Sequence, residues 1–106
     1  MAQALTIEAS ATATGAQPAA AAAGGAPFST YGLQVKGVGG TPTSWSVTLD
    51  GSLDGANWTT LITHNATDGS TSWETTGKPV LFIRVNVAAV TLGPASALKL
   101  TAVAVP

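Results

Sequence analysis

Trp45-Ser46-Val47-Thr48-Leu49-Asp50-Gly51-Ser52-Leu53-Asp54-Gly55-Ala56-Asn57-Trp58-Thr59-Thr60-Leu61-Ile62-Thr63 is the stretch that decides the fold. Trp45, Val47 and Leu49 alternate with Ser44, Ser46 and Thr48. Successive side chains of a strand point to opposite faces, so this period of two describes a strand with one apolar and one polar face. Asp50 to Asn57 then carries two Asp-Gly pairs. Short carboxylates bond nearby backbone N–H groups and glycine accepts positive φ, so the segment reads as a turn. Trp58 to Thr63 reads as the returning strand, and the whole as a hairpin.

The same signals recur outward from this hairpin. Leu5, Ile7 and Ala9 alternate with Thr6, Glu8 and Ser10, which gives a half-buried strand. Tyr31, Leu33 and Val35 alternate with Thr30, Gln34 and Lys36, and Gly37 to Pro42 supplies a turn. Ser70 to Thr75 reads as a short polar strand and Gly77-Lys78-Pro79 as punctuation. In Val80 to Val87, Leu81, Ile83, Val85 and Val87 face one way and Phe82, Arg84 and Asn86 the other. After Gly93-Pro94, Leu98 to Val105 closes the chain. No window has a helical apolar period. Seven or eight short strands, with turns at roughly 8–12-residue spacing, predict an all-β fold. The expected form is an antiparallel β-sandwich, jelly-roll or immunoglobulin-like.

Between the first strand and this array lies Thr12 to Pro27, with five alanines from Ala19 to Ala23 and then Gly24-Gly25. The run is too short for a stable isolated helix and is bracketed by Pro18 and glycine. It reads as a loop or extended arm, with a short helix docked on a neighbour as the alternative. The expected organisation is one domain overall, residues 1–27 forming the N-terminal strand and Ala/Gly-rich arm and residues 28–106 the sandwich. The 106-residue length suits one core, burying roughly two-thirds of the surface of the unfolded chain.

Charged residues make up only 8% of the chain, against about 25% in an average soluble domain, while hydrophobic residues reach 45%. Its exterior must therefore be built from Thr, Ser, Asn and Gly, a surface that repels its own copies weakly and favours association. A net charge of −1 leaves no basic footprint for nucleic acid. No run approaches the roughly 20 apolar residues that span a bilayer. Met1 to Leu5 lacks a basic region followed by an apolar one, so export is not expected. With no cysteine, disulfides and thiolate metal sites are excluded.

Catalytic parts are scarce. His64 is the sole histidine and reads as a solvated residue at a strand end. A triad through His64 would have to recruit Asp68, and no pocket is marked for it. Imidazole metal binding lacks a second His. Of the five acids, Asp50, Asp54 and Asp68 each precede Gly and read as turn caps. Asp50-x-Ser52-x-Asp54-Gly55 opens like a calcium loop, but Leu61 and Ile62 stand where a closing carboxylate is needed. Gly37-Val38-Gly39-Gly40 opens no helix and so cradles no phosphate. No enzyme activity, cofactor or metal is expected. Among the tryptophans, Trp45 reads as core, Trp58 as core or half-exposed, and Trp73, between Ser72 and Glu74, as the best exposed aromatic.

The run Trp45 to Thr63, followed by Gly77-Lys78-Pro79-Val80-Leu81-Phe82-Ile83-Arg84-Val85-Asn86, resembles small virion structural proteins of tailed bacteriophages. Its Ser52-x-Asp54-Gly55-x-x-Trp58 core also resembles a hairpin connection of discoidin-like and carbohydrate-binding sandwiches. The resemblance spans Leu33 to Val87. It implies a capsid decoration or cement protein, made in the host cytoplasm and placed on the capsid surface of the virion. The partners it implies are copies of itself, a trimer being common in that class, and a major capsid protein. The N-terminal arm would add a strand to a neighbour's sheet through Leu5 and Ile7. The alternative is a carbohydrate-binding adhesion module of a tail or head fibre, taking a glycan at Trp73 with the loops around Asp54 and Asp68.

Overall fold

The computed structural model describes residues 5–17, 19–21, 27–65 and 71–106, with the backbone alone for residues 21 and 71–78. All regular structure in them is β: β1 (Leu5–Ala11), β2 (Gly15–Ala16), β3 (Ala20–Ala21), β4 (Phe28–Val38), β5 (Ser44–Ser52), β6 (Thr59–Asn65), β7 (Thr71–Val80), β8 (Phe82–Thr91) and β9 (Ala97–Val105). One sheet has the order β1-β9-β4-β7. The other has the order β2-β8-β5-β6, with β3 also on β8. All these pairings are antiparallel.

The first half of the chain pairs with the second in reverse. β1 meets β9, β2 and β3 meet β8, β4 meets β7, and β5 meets β6. The chain is thus one long hairpin with its tip between β5 and β6. It is wound so that β9 also meets β4 and β8 also meets β5. β2 and β3 occupy successive stretches of one edge of β8, leaving eight strand positions in two sheets. This winding is a jelly roll, which decides between the two expected sandwiches.

The alternating residues fill the space between the sheets. Tyr31, Leu33 and Val35 of β4 and Leu98, Leu100, Ala102 and Ala104 of β9 are buried from one side. Trp45, Val47 and Leu49 of β5 and Ile83, Val85 and Val87 of β8 are buried from the other. The Tyr31 hydroxyl, whose ionisation burial pushes upward, donates to the Phe28 carbonyl at 2.9 Å.

Three expectations are corrected. His64 is 2% exposed, not solvated, because β6 runs on to Asn65 and the alternation carries Ile62 and His64 inward. Asp50 is no turn residue: β5 continues through it to Ser52. Pro79 does not interrupt β7, an edge strand whose outer side needs no N–H there; the break falls at Leu81. Ala20–Ala21 is extended, the form expected ahead of a docked helix, and pairs with Ile83 and Phe82. The segment after β1 therefore crosses to the second sheet of its own chain, where Gln17 N–H also donates to the Val85 carbonyl at 2.8 Å.

Candidate functional site

The tip of the long hairpin is the most organised polar region described. The Ser52 hydroxyl donates to Asp54 Oδ1 at 2.9 Å and accepts from the Asp54 and Gly55 N–H groups at 3.2 and 2.9 Å. Asp54 Oδ1 accepts from the N–H groups of Ala56 and Asn57, both at 2.8 Å, and Oδ2 from Asn57 Nδ2 at 2.7 Å. Gly55 takes φ +77°, a conformation that disfavours side chains. The backbone N–H of Asn57, then that of Ala56, then the Asn57 and Ser52 side chains hold the Asp54 carboxyl far below the usual carboxylate range. The sequence reading of Asp54 as a turn cap describes this geometry.

A cleft of about 360 Å³ opens beside the loop, between the β6 and β7 edges. Leu61, Pro79 and Val80 give it an apolar wall, and Leu53, Asp54 and Asn57 line it from the loop. Gly51 stands at the same place because a Cβ there would come 2.7 Å from Val80 Cγ1 and 2.8 Å from Leu61 Cδ1. Leu61 is the extra residue of a β-bulge, where Leu49 opposes Ile62 but Asp50 opposes Thr60. Leu53 is 66% exposed at the rim.

A second cluster lies on the outer face of the β5-containing sheet. Asp50 is opposite Arg84 on one side and Thr60 on the other. Asp50 Oδ1 accepts from the Thr48 hydroxyl at 3.0 Å and from the Thr60 hydroxyl at 3.4 Å, and Oδ2 from Arg84 Nε at 3.2 Å. The Arg84 guanidinium carbon lies 4.4 Å from the centroid of the Trp58 ring, a cation–π stack. Asp50 and Asp54 therefore do not converge as a calcium loop would require. Among the described residues no three His, Cys, Asp or Glu side chains group as metal ligands.

Inside the sandwich, Trp45 Nε1–H donates to His64 Nδ1 at 3.2 Å, with ring centroids 5.9 Å apart. This uses the histidine as a core acceptor, a role that the in-phase spacing of Ile62 and His64 already signals. Of the expected interaction residues, Leu5 and Ile7 on β1 and Asp54 at the hairpin tip stand on separate elements. Leu5 and Ile7 are half-buried against the core, on β1 at one edge of its sheet. Trp73 is opposite Gly32 along the backbone, and its side chain lies outside the described residues, as does Asp68 entirely. The Arg84–Trp58 stack went unread because β8 and β6 meet only across β5, a juxtaposition no local pattern shows.

No protein-family model and no curated protein matches the sequence. Among solved structures, the chain is similar to the SPBc2 prophage-derived protein YomS, with TM-score 0.68 and 12% identity, over 100% of this chain and 96% of that one. Two looser likenesses do not define the fold: PirA, with TM-score 0.41, 9% identity and coverage of 99% and 93%, and a chain from the disulfide-linked pili of Bacillus endospore appendages, with TM-score 0.46, 18% identity and coverage of 99% and 86%. At this level of identity the likeness concerns architecture: the chain has the all-β sandwich fold of a prophage-derived protein.

Proposed function

We propose that the chain is a non-enzymatic structural protein of a tailed-bacteriophage particle, decorating the capsid through contacts with copies of itself and with the major capsid protein. The observation that carries the reading is the fold shared with a prophage-derived protein over the full length of this chain. The composition supports it, since 8% charged residues leave a surface that associates easily. The non-enzymatic part is supported by the fate of the sole histidine, which is sealed in the core as an acceptor for Trp45. The adhesion reading gains a cleft at the hairpin tip but no aromatic wall among the described residues, since no Trp, Tyr or Phe of them lines it.

Locating the chain by cryo-electron microscopy of purified particles tests the proposal. Density for this jelly roll on the outer capsid lattice, seated on capsid subunits, is the expected result. Density confined to a tail or fibre would defeat the decoration reading.

A further inference from the structure

The geometry of the outer cluster points to a binding site for a carboxylate on a partner protein. We infer that Arg84, held by Asp50 and Trp58, presents the open end of its guanidinium to an Asp, Glu or chain-terminal carboxylate. This goes beyond the particle role and does not depend on it.

The argument begins with which N–H groups are used. A guanidinium has five N–H donors, and its commonest strong pairing is a two-bond fork onto a carboxylate. Arg84 does not spend that fork on Asp50. Only Nε reaches Asp50, at 3.2 Å, and the remaining capacity of that carboxylate goes to Thr48 and Thr60. The four N–H groups on the two terminal nitrogens bond nothing among the described residues. Neither does the Trp58 indole N–H. No buried side-chain nitrogen or oxygen among the described residues lacks a partner, so these donors face solvent.

Orientation is fixed in advance. Asp50, 7% exposed, anchors one edge of the guanidinium, and the Trp58 ring at 4.4 Å supports its plane. The Arg84 side chain is 28% exposed, so it is half-withdrawn yet reachable. Ordering a long side chain before binding removes an entropic cost that an ordinary surface arginine meets on binding. What Arg84 and Trp58 leave open is donors alone, which suits an acceptor-only group. A sugar hydroxyl needs an acceptor as well as a donor, and Asp50 has given its oxygens to Arg84, Thr48 and Thr60. The planar spacing of the two terminal nitrogens fits the two oxygens of a carboxylate. Because Asp50 already neutralises the arginine, a single isolated contact is expected to be weak, in the millimolar range.

Sodium succinate is the probe, titrated into the full-length ¹⁵N-labelled protein at constant ionic strength with sodium chloride. The Trp58 indole N–H and Arg84 Nε–H signals are expected to shift and saturate, while the Trp45 indole N–H, sealed against His64, stays still. Arg84→Lys keeps the charge and loses the fork, and should weaken binding about tenfold or more. Trp58→Phe keeps a stacking ring without the indole N–H and should weaken it less. Linear, unsaturated shifts in the parent protein would overturn the proposal. So would equal affinity in Arg84→Lys, or saturation by inorganic phosphate at lower concentration than by succinate.

Discussion

Two tryptophans start and end the comparison that this molecule offers. Trp45 lies on one arm of the hairpin and Trp58 in the turn just before the other, and each meets an ionisable side chain, His64 of β6 and Arg84 of β8 respectively. Inside the sandwich, Trp45 donates to His64, and both are sealed from water. Outside, Trp58 lies under Arg84, which in turn holds Asp50. In the inner pair the indole donor and an imidazole acceptor meet each other. The outer cluster satisfies its acid fully and leaves its donors open. The same residue classes thus serve uniqueness of packing in one place and recognition in the other, and the faces of β5 and β6 decide which.

Breaking the inner pair is expected to have the largest effect. Trp45→Ala removes a buried aromatic and should cost about 3–5 kcal/mol, as large-to-small core changes do. Trp45→Phe keeps much of the volume but takes the indole donor from His64 Nδ1, and should cost about 1–3 kcal/mol. Urea unfolding with constant m-value checks both. A Trp45→Phe protein as stable as the parent would show that the hydrogen bond between the rings adds nothing beyond packing.

How much of this was legible depends on the range of each signal. The strands around Val47, Leu33 and Leu100 were readable because a half-buried strand writes its period into neighbouring residues. The jelly-roll winding was not, since β1 finds β9 some ninety positions away and no local pattern names a distant partner. His64 was misread for want of one further step of alternation: a strand ended at Thr63 leaves it outside, and a strand ended at Asn65 puts it in. Asp50 was misread because Asp-Gly is a turn signal, whereas here Gly51 is required by Val80 and Leu61 rather than by a turn. Pro79 misled in the same way, as edge strands tolerate proline. At the candidate site, Asp54 was legible because its partners lie within three residues. Arg84 was not, lying 34 residues from Asp50.

Breaking the outer cluster should cost less, and the cost should depend on which member is removed. Arg84→Ala leaves the Asp50 carboxylate with two hydroxyls and no cation, at an expected cost of about 1–3 kcal/mol. Removing Asp50 as well should recover part of that, because no charge is then left behind a covered surface. A double-mutant cycle measures the coupling. If Arg84→Ala and Asp50→Ala destabilise additively, the ion pair is decorative and the outer face owes its order to Trp58 alone.

The smallest effect belongs to the hairpin tip and is visible only against pH. The N–H groups of Asn57 and Ala56 favour the ionised form of Asp54, so its carboxyl titrates lower in the folded chain than its ordinary value of 3.8. The unfolded chain therefore binds the proton first as acid is added. Stability from this carboxylate is fully present above pH 3.8 and is lost as the pH falls towards the folded value. Asp54→Asn keeps an oxygen for the two backbone donors but sets an amide N–H₂ against Asn57 Nδ2. The variant should be less stable than the parent at pH 7, and the gap should narrow below pH 3.8. Urea midpoints for both proteins from about pH 7 down to about pH 2 give the test. A gap independent of pH would mean that the loop needs the shape of Asp54 and not its charge, leaving the cleft rim electrostatically inert.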